Sequence, residues 1–177
     1  MVEEIINKYY ADNQPLKEIL LRHSQSVAEK ALKVAERHPE LCADKTFLQQ
    51  AAMLHDIGIF LTDAPGIQCF GTEPYIRHGL LGAEILRSEG FPRHARVAER
   101  HTGTGLSRKA IITQQLPLPA EDFLPETIEE QIICYADKYF SKSHLERVRT
   151  DEQVLLSLQR FGKESVDRMT AWMNLFG

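Results

Sequence analysis

Apolar residues recur at helical spacing along most of the chain. In PLKEILLRHSQSVAEKALKVAERH, residues 15–38, Leu16, Leu20, His23, Val27, Ala31 and Val34 fall on one stripe, the mark of an amphipathic helix. Pro15 suits a first helical turn, and His38-Pro39 ends the run, because a residue before proline disfavours helical geometry. Phe47, Ala51 and Leu54, with Leu48 and Ala52 beside them, predict a second helix over 44–57, and Gly58, Pro65 and Gly66 punctuate the loop after it. PYIRHGLLGAEILRSEG predicts a third helix over 74–90 with Gly90 as its stop, and PRHARVAERH a fourth over 92–101 that ends at TGTG. ETIEEQIICYADKYFSK resumes helix over 126–142, with Ile128, Ile132, Ile133, Ala136 and Phe140 apolar, and further helical segments are expected as far as Phe176. No alternating β-branched run is long enough to propose a sheet, so an all-α fold is expected. Residues 114–125, QQLPLPAEDFLP, carry three prolines and form a loop, read either as a cover over the functional pocket that helps select substrate or as a surface connector between two helices.

Composition narrows the class without changing that picture. With 177 residues and 43% hydrophobic content, one compact domain with a sizeable core is expected. A net charge of −4, with both signs mixed along the chain, leaves no basic stripe for a nucleic-acid groove. Cys42, Cys69 and Cys134 are widely spaced and form no CxxC pair, which argues against a disulfide framework or a thiolate zinc site. MVEEIINKYY is acidic and amphipathic, with no basic n-region or long apolar run behind it, so no secretory signal or membrane span is read. A reducing, cytoplasmic setting is expected.

The chemistry lies in polar residues that interrupt apolar faces. His23 replaces a hydrophobe in the first helix; His55 continues the stripe of the second, seven positions after Leu48, and Asp56 stands beside it. His78 shares a face with Gly82 and Ile85, His101 follows Val97 by one turn, and Asp137 sits four after Ile133. A single such histidine is most often a satisfied core or surface residue. Several helices aiming imidazole or carboxylate inward together suit Fe, Mn, Zn or Ni. A buried carboxylate without a cation or donors costs several kcal/mol, roughly, and a divalent ion would compensate Asp56 and Asp137 together.

His23, then His55-Asp56 within MLHDIG, then Asp137, in that order on helices, resembles the HD-domain metal-dependent phosphohydrolase superfamily, and HDIG matches its best-known local signature. YIRHGLLGAEILRSEG, ERHTGTGL and DFLPETIEEQIICYADK further resemble an uncharacterised HDIG-type branch, and the resemblance covers roughly residues 15–150. His78 and His101 are similar to the extra histidines of dinuclear members, such as diadenosine tetraphosphate hydrolases and cyclic-dinucleotide phosphodiesterases. The cyclic-dinucleotide branch often has two adjacent histidines and a GYP sequence, whereas this chain has His101-Thr102 and no GYP.

The resemblance implies a single HD-type helical bundle over residues 1–177. It implies one or two divalent transition-metal ions, one held by His23, His55, Asp56 and Asp137, the other by His78 and His101 with Asp56 bridging. The implied activity is hydrolysis of a phosphate monoester, diester or anhydride, of a nucleotide or small phosphorylated metabolite, by attack of metal-bound hydroxide. Coordination lowers the pKa of such a water towards about 7, and Asp56 is the expected catalytic residue that orients it. Gly58 is expected to let the chain turn away after the site. Arg77, Arg100, Thr102 and Lys138 are the candidate substrate-binding residues, and the TGTG amides are weaker candidates for an anion. His38, His94 and His144 match no motif position and read as surface or packing residues. A di-iron oxygenase could use the same six ligands, as some relatives of this superfamily do. A nucleotide-binding regulatory module and a purely structural helical scaffold are the other readings. The complete ligand set counts against the first of these, and two uncompensated carboxylates against the second. Oligomeric state is not legible.

Overall fold

A computed structural model describes all 177 residues. Nine α-helices carry the fold: α1 (Val2–Tyr10), α2 (Gln14–Arg37), α3 (Lys45–Leu54), α4 (His78–Ser88), α5 (Pro92–Arg100), α6 (Arg108–Thr113), α7 (Ile128–Asp137), α8 (Asp151–Leu158) and α9 (Lys163–Phe176). The all-α expectation holds. No helix is long and apolar enough to cross a membrane.

Local chemistry sets the helix ends. The Asn13 side chain accepts the Leu16 amide at the start of α2, with Pro15 in the first turn, and α2 stops one residue before His38-Pro39. Thr127 and Glu130 form a capping box on α7, each satisfying a backbone amide of the other. Asp44 caps α3 by accepting the Phe47 amide at 3.0 Å, and Arg93 reaches the same carboxylate at 3.1 Å. Loss of such a cap costs about 1 kcal/mol, so Asp44→Ala is expected to lower the urea midpoint by that amount while leaving activity intact. A variant that loses activity in step with stability would show that this end of α3 serves the site as well.

Three segments differ from the sequence reading. First, MVEEIINKYY forms α1 and buries Ile5, Ile6 and Tyr10. Second, residues 62–73 close on a two-residue antiparallel hairpin, β1 (Asp63–Ala64) with β2 (Cys69–Phe70), too short to show any alternation in sequence. Third, three helices are shorter than their apolar runs. α3 ends at Leu54, so His55 and Asp56 lie in the turn after it. Tyr75–Arg77 forms a 3-10 turn after Pro74, so α4 begins only at His78. α7 ends at Asp137, and residues 138–150 run on as a loop pinned by a Phe140–Val148 bridge.

The core has two main parts. The larger joins α2, α3, α7, α8 and α9 through Val27, Leu48, Ile132, Leu158 and Trp172. The smaller joins α1, the start of α2, the end of α3, α4 and α5 through Ile6, Leu20, Leu54, Leu86 and Ala98. His23 falls between Leu20 of one and Val27 of the other, and His55-Asp56 follows Leu54, so the polar residues occupy the seam. Of the 114–125 segment, only Gln114 and Leu116 reach the main cavity. Leu116, Leu118 and Phe123 instead gather on a third small cluster with Leu106 and Ile111, and Phe123 exchanges backbone bonds with Leu106. The segment is a folded-back wall rather than a cover, because its leucines and phenylalanine find apolar partners beside α6.

Candidate metal centre

Five of the six predicted side chains stand at helix ends and one in the middle of a helix, and the fold brings them together. His55 and Asp56 follow α3, His78 opens α4, His101 follows α5, Asp137 ends α7, and His23 projects from the middle of α2. All six are buried. One ligand atom each from His23, His55, Asp56 and Asp137 lies within 4.8 Å of the others, and the same holds for Asp56, His78 and His101. Asp56 belongs to both groups. Its Oδ2 lies 3.3 Å from His23 Nε2 and 3.1 Å from His55 Nε2. Its Oδ1 lies 3.4 Å from His78 Nε2 and 3.2 Å from His101 Nε2. Asp137 Oδ1 approaches His23 Nε2 at 2.9 Å and His55 Nε2 at 3.4 Å.

Backbone contacts set three of the imidazole tautomers. Nδ1 of His55 donates to the Ala52 carbonyl at 2.6 Å, that of His78 to Tyr75 at 2.7 Å, and that of His101 to Ala98 at 2.7 Å. At His55 and His101 the acceptor is a carbonyl of the last helical turn, which has no partner within its own helix. With Nδ1 committed as donor, the neutral rings of His78 and His101 point their Nε2 lone pairs inward. His78 and His101 Nε2 then face each other at 2.9 Å as two lone pairs, an arrangement that repels unless a cation lies between them. Both oxygens of Asp56 also lack an aligned hydrogen bond, despite four nitrogens and the Lys142 ammonium nearby. Convergent lone pairs around an orphaned carboxylate are what a divalent transition metal requires, so the residues fit one.

The charge balance agrees. Against burial, which disfavours the charged acid, His55 and Lys142 hold Asp56 well below the usual carboxylate range. Lys138 and His23 do the same for Asp137. Burial works against the His55 imidazolium, yet Asp56 and Asp137 outweigh it and hold that ring up to about 9. Burial and the neighbouring His101 push His78 down to about 3, and His101 is lowered mainly by burial. The half around Asp137 therefore draws positive charge, while the His78–His101 half presents neutral nitrogen.

The cluster opens through His78, His101 and Asp137 onto a cavity of about 760 Å³, large enough for a small ligand. Thr102 and Lys138 line it as the sequence reading expects. Arg77 and Arg100 do not. Arg77 pairs with Glu73, four residues before it, at 2.7 Å. Arg100 donates to the Leu124 carbonyl at 2.7 Å and reaches Glu126 at 3.3 Å. Gly103 of the TGTG run lies in the wall, and its positive φ of 58° fits a tight turn. Sequence reasoning missed Lys142, Arg149 and Arg160, all in the cavity wall, and Tyr75, whose ring stacks on His78 at 4.6 Å. Had α7 continued, Lys142 would stand about 140° around the helix from Asp137; the helix end brings both to one place. The remaining histidines behave as expected: His94 packs against Phe47 and Phe91, His38 meets Glu40, and His144 is exposed.

Comparison with known proteins gives a consistent result. The sequence profile of the HD domain family matches residues 20–141. An uncharacterized protein of Methanocaldococcus jannaschii is 35% identical over 150 residues, covering 79% of this chain and 80% of that protein. A tRNA (cytidine(56)-2'-O)-methyltransferase of Picrophilus torridus is 34% identical over 129 residues, and one of Thermoplasma volcanium 31% identical over 174. Those matches take in 72% and 98% of this chain but only 33% and 44% of the two methyltransferases. The HD domain of the L. monocytogenes phosphodiesterase PgpH superposes with a TM-score of 0.55, covering 96% of this chain and 97% of that domain at 18% identity, a likeness of fold.

Proposed function

The chain belongs to the HD domain family, and from that premise we propose that it is a metal-dependent phosphohydrolase with a dinuclear centre. The observation that carries this reading is the opening of the imidazole–carboxylate cluster onto a cationic wall. Lys138, Lys142, Arg149 and Arg160 line the cavity, against one carboxylate, Asp137, although the chain as a whole carries a net charge of −4. Concentrated positive charge beside a metal-type cluster suits a phosphorylated substrate.

His23, His55, Asp56 and Asp137 would hold one ion, and Asp56, His78 and His101 the other. Divalent ions bound there would supply Lewis acidity, activating water and polarising a phosphoryl group. The protein's own part is orientation and charge. Asp56 fixes the geometry between the two halves. Lys138, donating to the His101 carbonyl at 2.9 Å and paired with Asp137 at 2.5 Å, places an ammonium at the rim of the cluster. Thr102 adds a hydroxyl donor there. Tyr75, Phe140 and Phe161 give the cavity apolar faces, suited to the organic part of a phosphate ester. An oxygen-activating di-iron centre would draw on the same six ligands, and oxygen-dependent turnover by iron-loaded protein would distinguish it from hydrolysis. The methyltransferase names belong to proteins of which this chain spans less than half, and their activity does not account for a buried imidazole–carboxylate cluster.

Metal analysis of the purified protein, followed by assays on a phosphate monoester, a diester and an anhydride, tests the proposal. Close to two transition-metal ions per chain are expected, and His78→Ala should lower that to about one. Unchanged occupancy in that variant would remove His78 from the centre and leave a mononuclear site. Hydrolysis of none of the three bond types by metal-loaded protein would overturn the phosphohydrolase reading.

A further inference from the structure

Two lysines touch the cluster, and their surroundings differ. Lys138 has two partners, Asp137 and the His101 carbonyl. Lys142, from the loop after α7, has a single carboxylate partner: its ammonium lies 2.7 Å from Asp56 Oδ2. The side chain is only 12% exposed, with the Tyr75 ring 5.9 Å away. Asp56 Oδ2 receives no well-aligned hydrogen bond, so the ammonium is held there chiefly by charge.

Oδ2 is also the oxygen that faces His23 and His55. An ion held by His23, His55 and Asp56 would therefore draw on the same lone pairs as Lys142. Two cations compete for one carboxylate oxygen, and the displaced ammonium would be left buried without an anion, which is costly. Lys142 lines the same cavity as Lys138, Arg149 and Thr102, and an anion entering that cavity can take Asp56's place.

We propose that Lys142 is a phosphate-binding residue that exchanges Asp56 for the phosphoryl oxygens of the substrate, coupling metal uptake to anion binding. The inference rests on the metal-centre reading above. Linkage makes the coupling reciprocal: phosphate raises the affinity for metal by the same factor that metal raises the affinity for phosphate.

Calorimetric titration of the full chain tests this, with Mn²⁺ added to chelator-stripped protein and inorganic phosphate to metal-loaded protein. Removing the internal competitor should make Lys142→Gln bind Mn²⁺ about tenfold more tightly, while its affinity for phosphate falls roughly ten- to a hundredfold. Lys142→Arg keeps the charge and should stay close to wild type in both titrations. A lysine that served only packing would weaken both together or change neither. Lys142→Met, which keeps the aliphatic stem, is read by the same two signs if glutamine disturbs the fold. Mn²⁺ binding no tighter than wild type, or phosphate binding as tight as wild type, overturns the proposal and leaves the metal centre standing. Wild-type protein that takes up no Mn²⁺ overturns both.

Discussion

Asp56→Ala is expected to yield a folded, helical protein whose hydrolytic rate has dropped at least about a hundredfold and whose metal content is reduced. Asp56 is fully buried and belongs to both halves of the cluster, so its loss removes the bridge between them. Misplacing a reacting group by about 1 Å can already cost a hundredfold in rate, and here both halves of the cluster lose the carboxylate that they share. Stability should respond far less, because two effects oppose each other. Removing the carboxylate relieves a buried charge that has no aligned hydrogen bond, but it strips Lys142 of its anion. Circular dichroism, metal analysis and kinetics on one preparation separate these effects. Asp44→Ala gives the reversed pattern, with stability lowered and catalysis kept. Full phosphatase or phosphodiesterase activity in Asp56→Ala would remove the metal centre as an explanation of MLHDIG.

The second large effect is expected at Gly58, where the damage comes through the fold. A Cβ there would lie 2.4 Å from the Gly82 amide nitrogen, 2.5 Å from the His78 carbonyl oxygen and 2.9 Å from the Gly82 Cα. All three atoms are backbone, so no rotamer change can make room. Overpacking of a core typically costs about 1–3 kcal/mol, and Gly58→Ala should sit at or above the top of that range. The collision pushes on the first turns of α4, which carries His78. Metal content should therefore fall towards one ion per chain together with the melting temperature. Gly66→Ala is the control: a Cβ there meets nothing within 4 Å, and its effect should stay within about 0.5 kcal/mol. A Gly58→Ala protein that melts with wild type would show that α4 and the turn after α3 are not held at contact distance.

Gly58 also marks the limit of what the sequence reveals. Its expected role is to let the chain turn. Its φ of −86° and ψ of −3° are open to any residue, however, and the real constraint is close approach to α4. Helical periodicity revealed the principal helices because each buries a stripe of its own. The six metal-type residues were legible for the same reason, since each breaks an apolar face where a polar group is costly. Side chains whose partners lie far along the chain were not legible. Arg100 is taken by Leu124 and Glu126, and Lys142 reaches the cluster because α7 stops at Asp137 rather than near 142. The hairpin at 63–70 escaped notice because two-residue strands carry no periodic signal.

The bonds from His55, His78 and His101 Nδ1 to backbone carbonyls bear on how the protein would choose among ions. Each ring is clamped by the helix end or turn that presents it, so its rotational freedom is spent during folding and not at capture. Arrival of an ion then costs little further ordering, and withdrawal by a chelator should leave a native scaffold, unlike domains that fold only around their metal. A clamped donor set also adapts poorly. Discrimination among Mn, Fe, Ni and Zn would therefore depend on which radius and coordination number the rigid nitrogens accept, with availability in the cell deciding among those that fit.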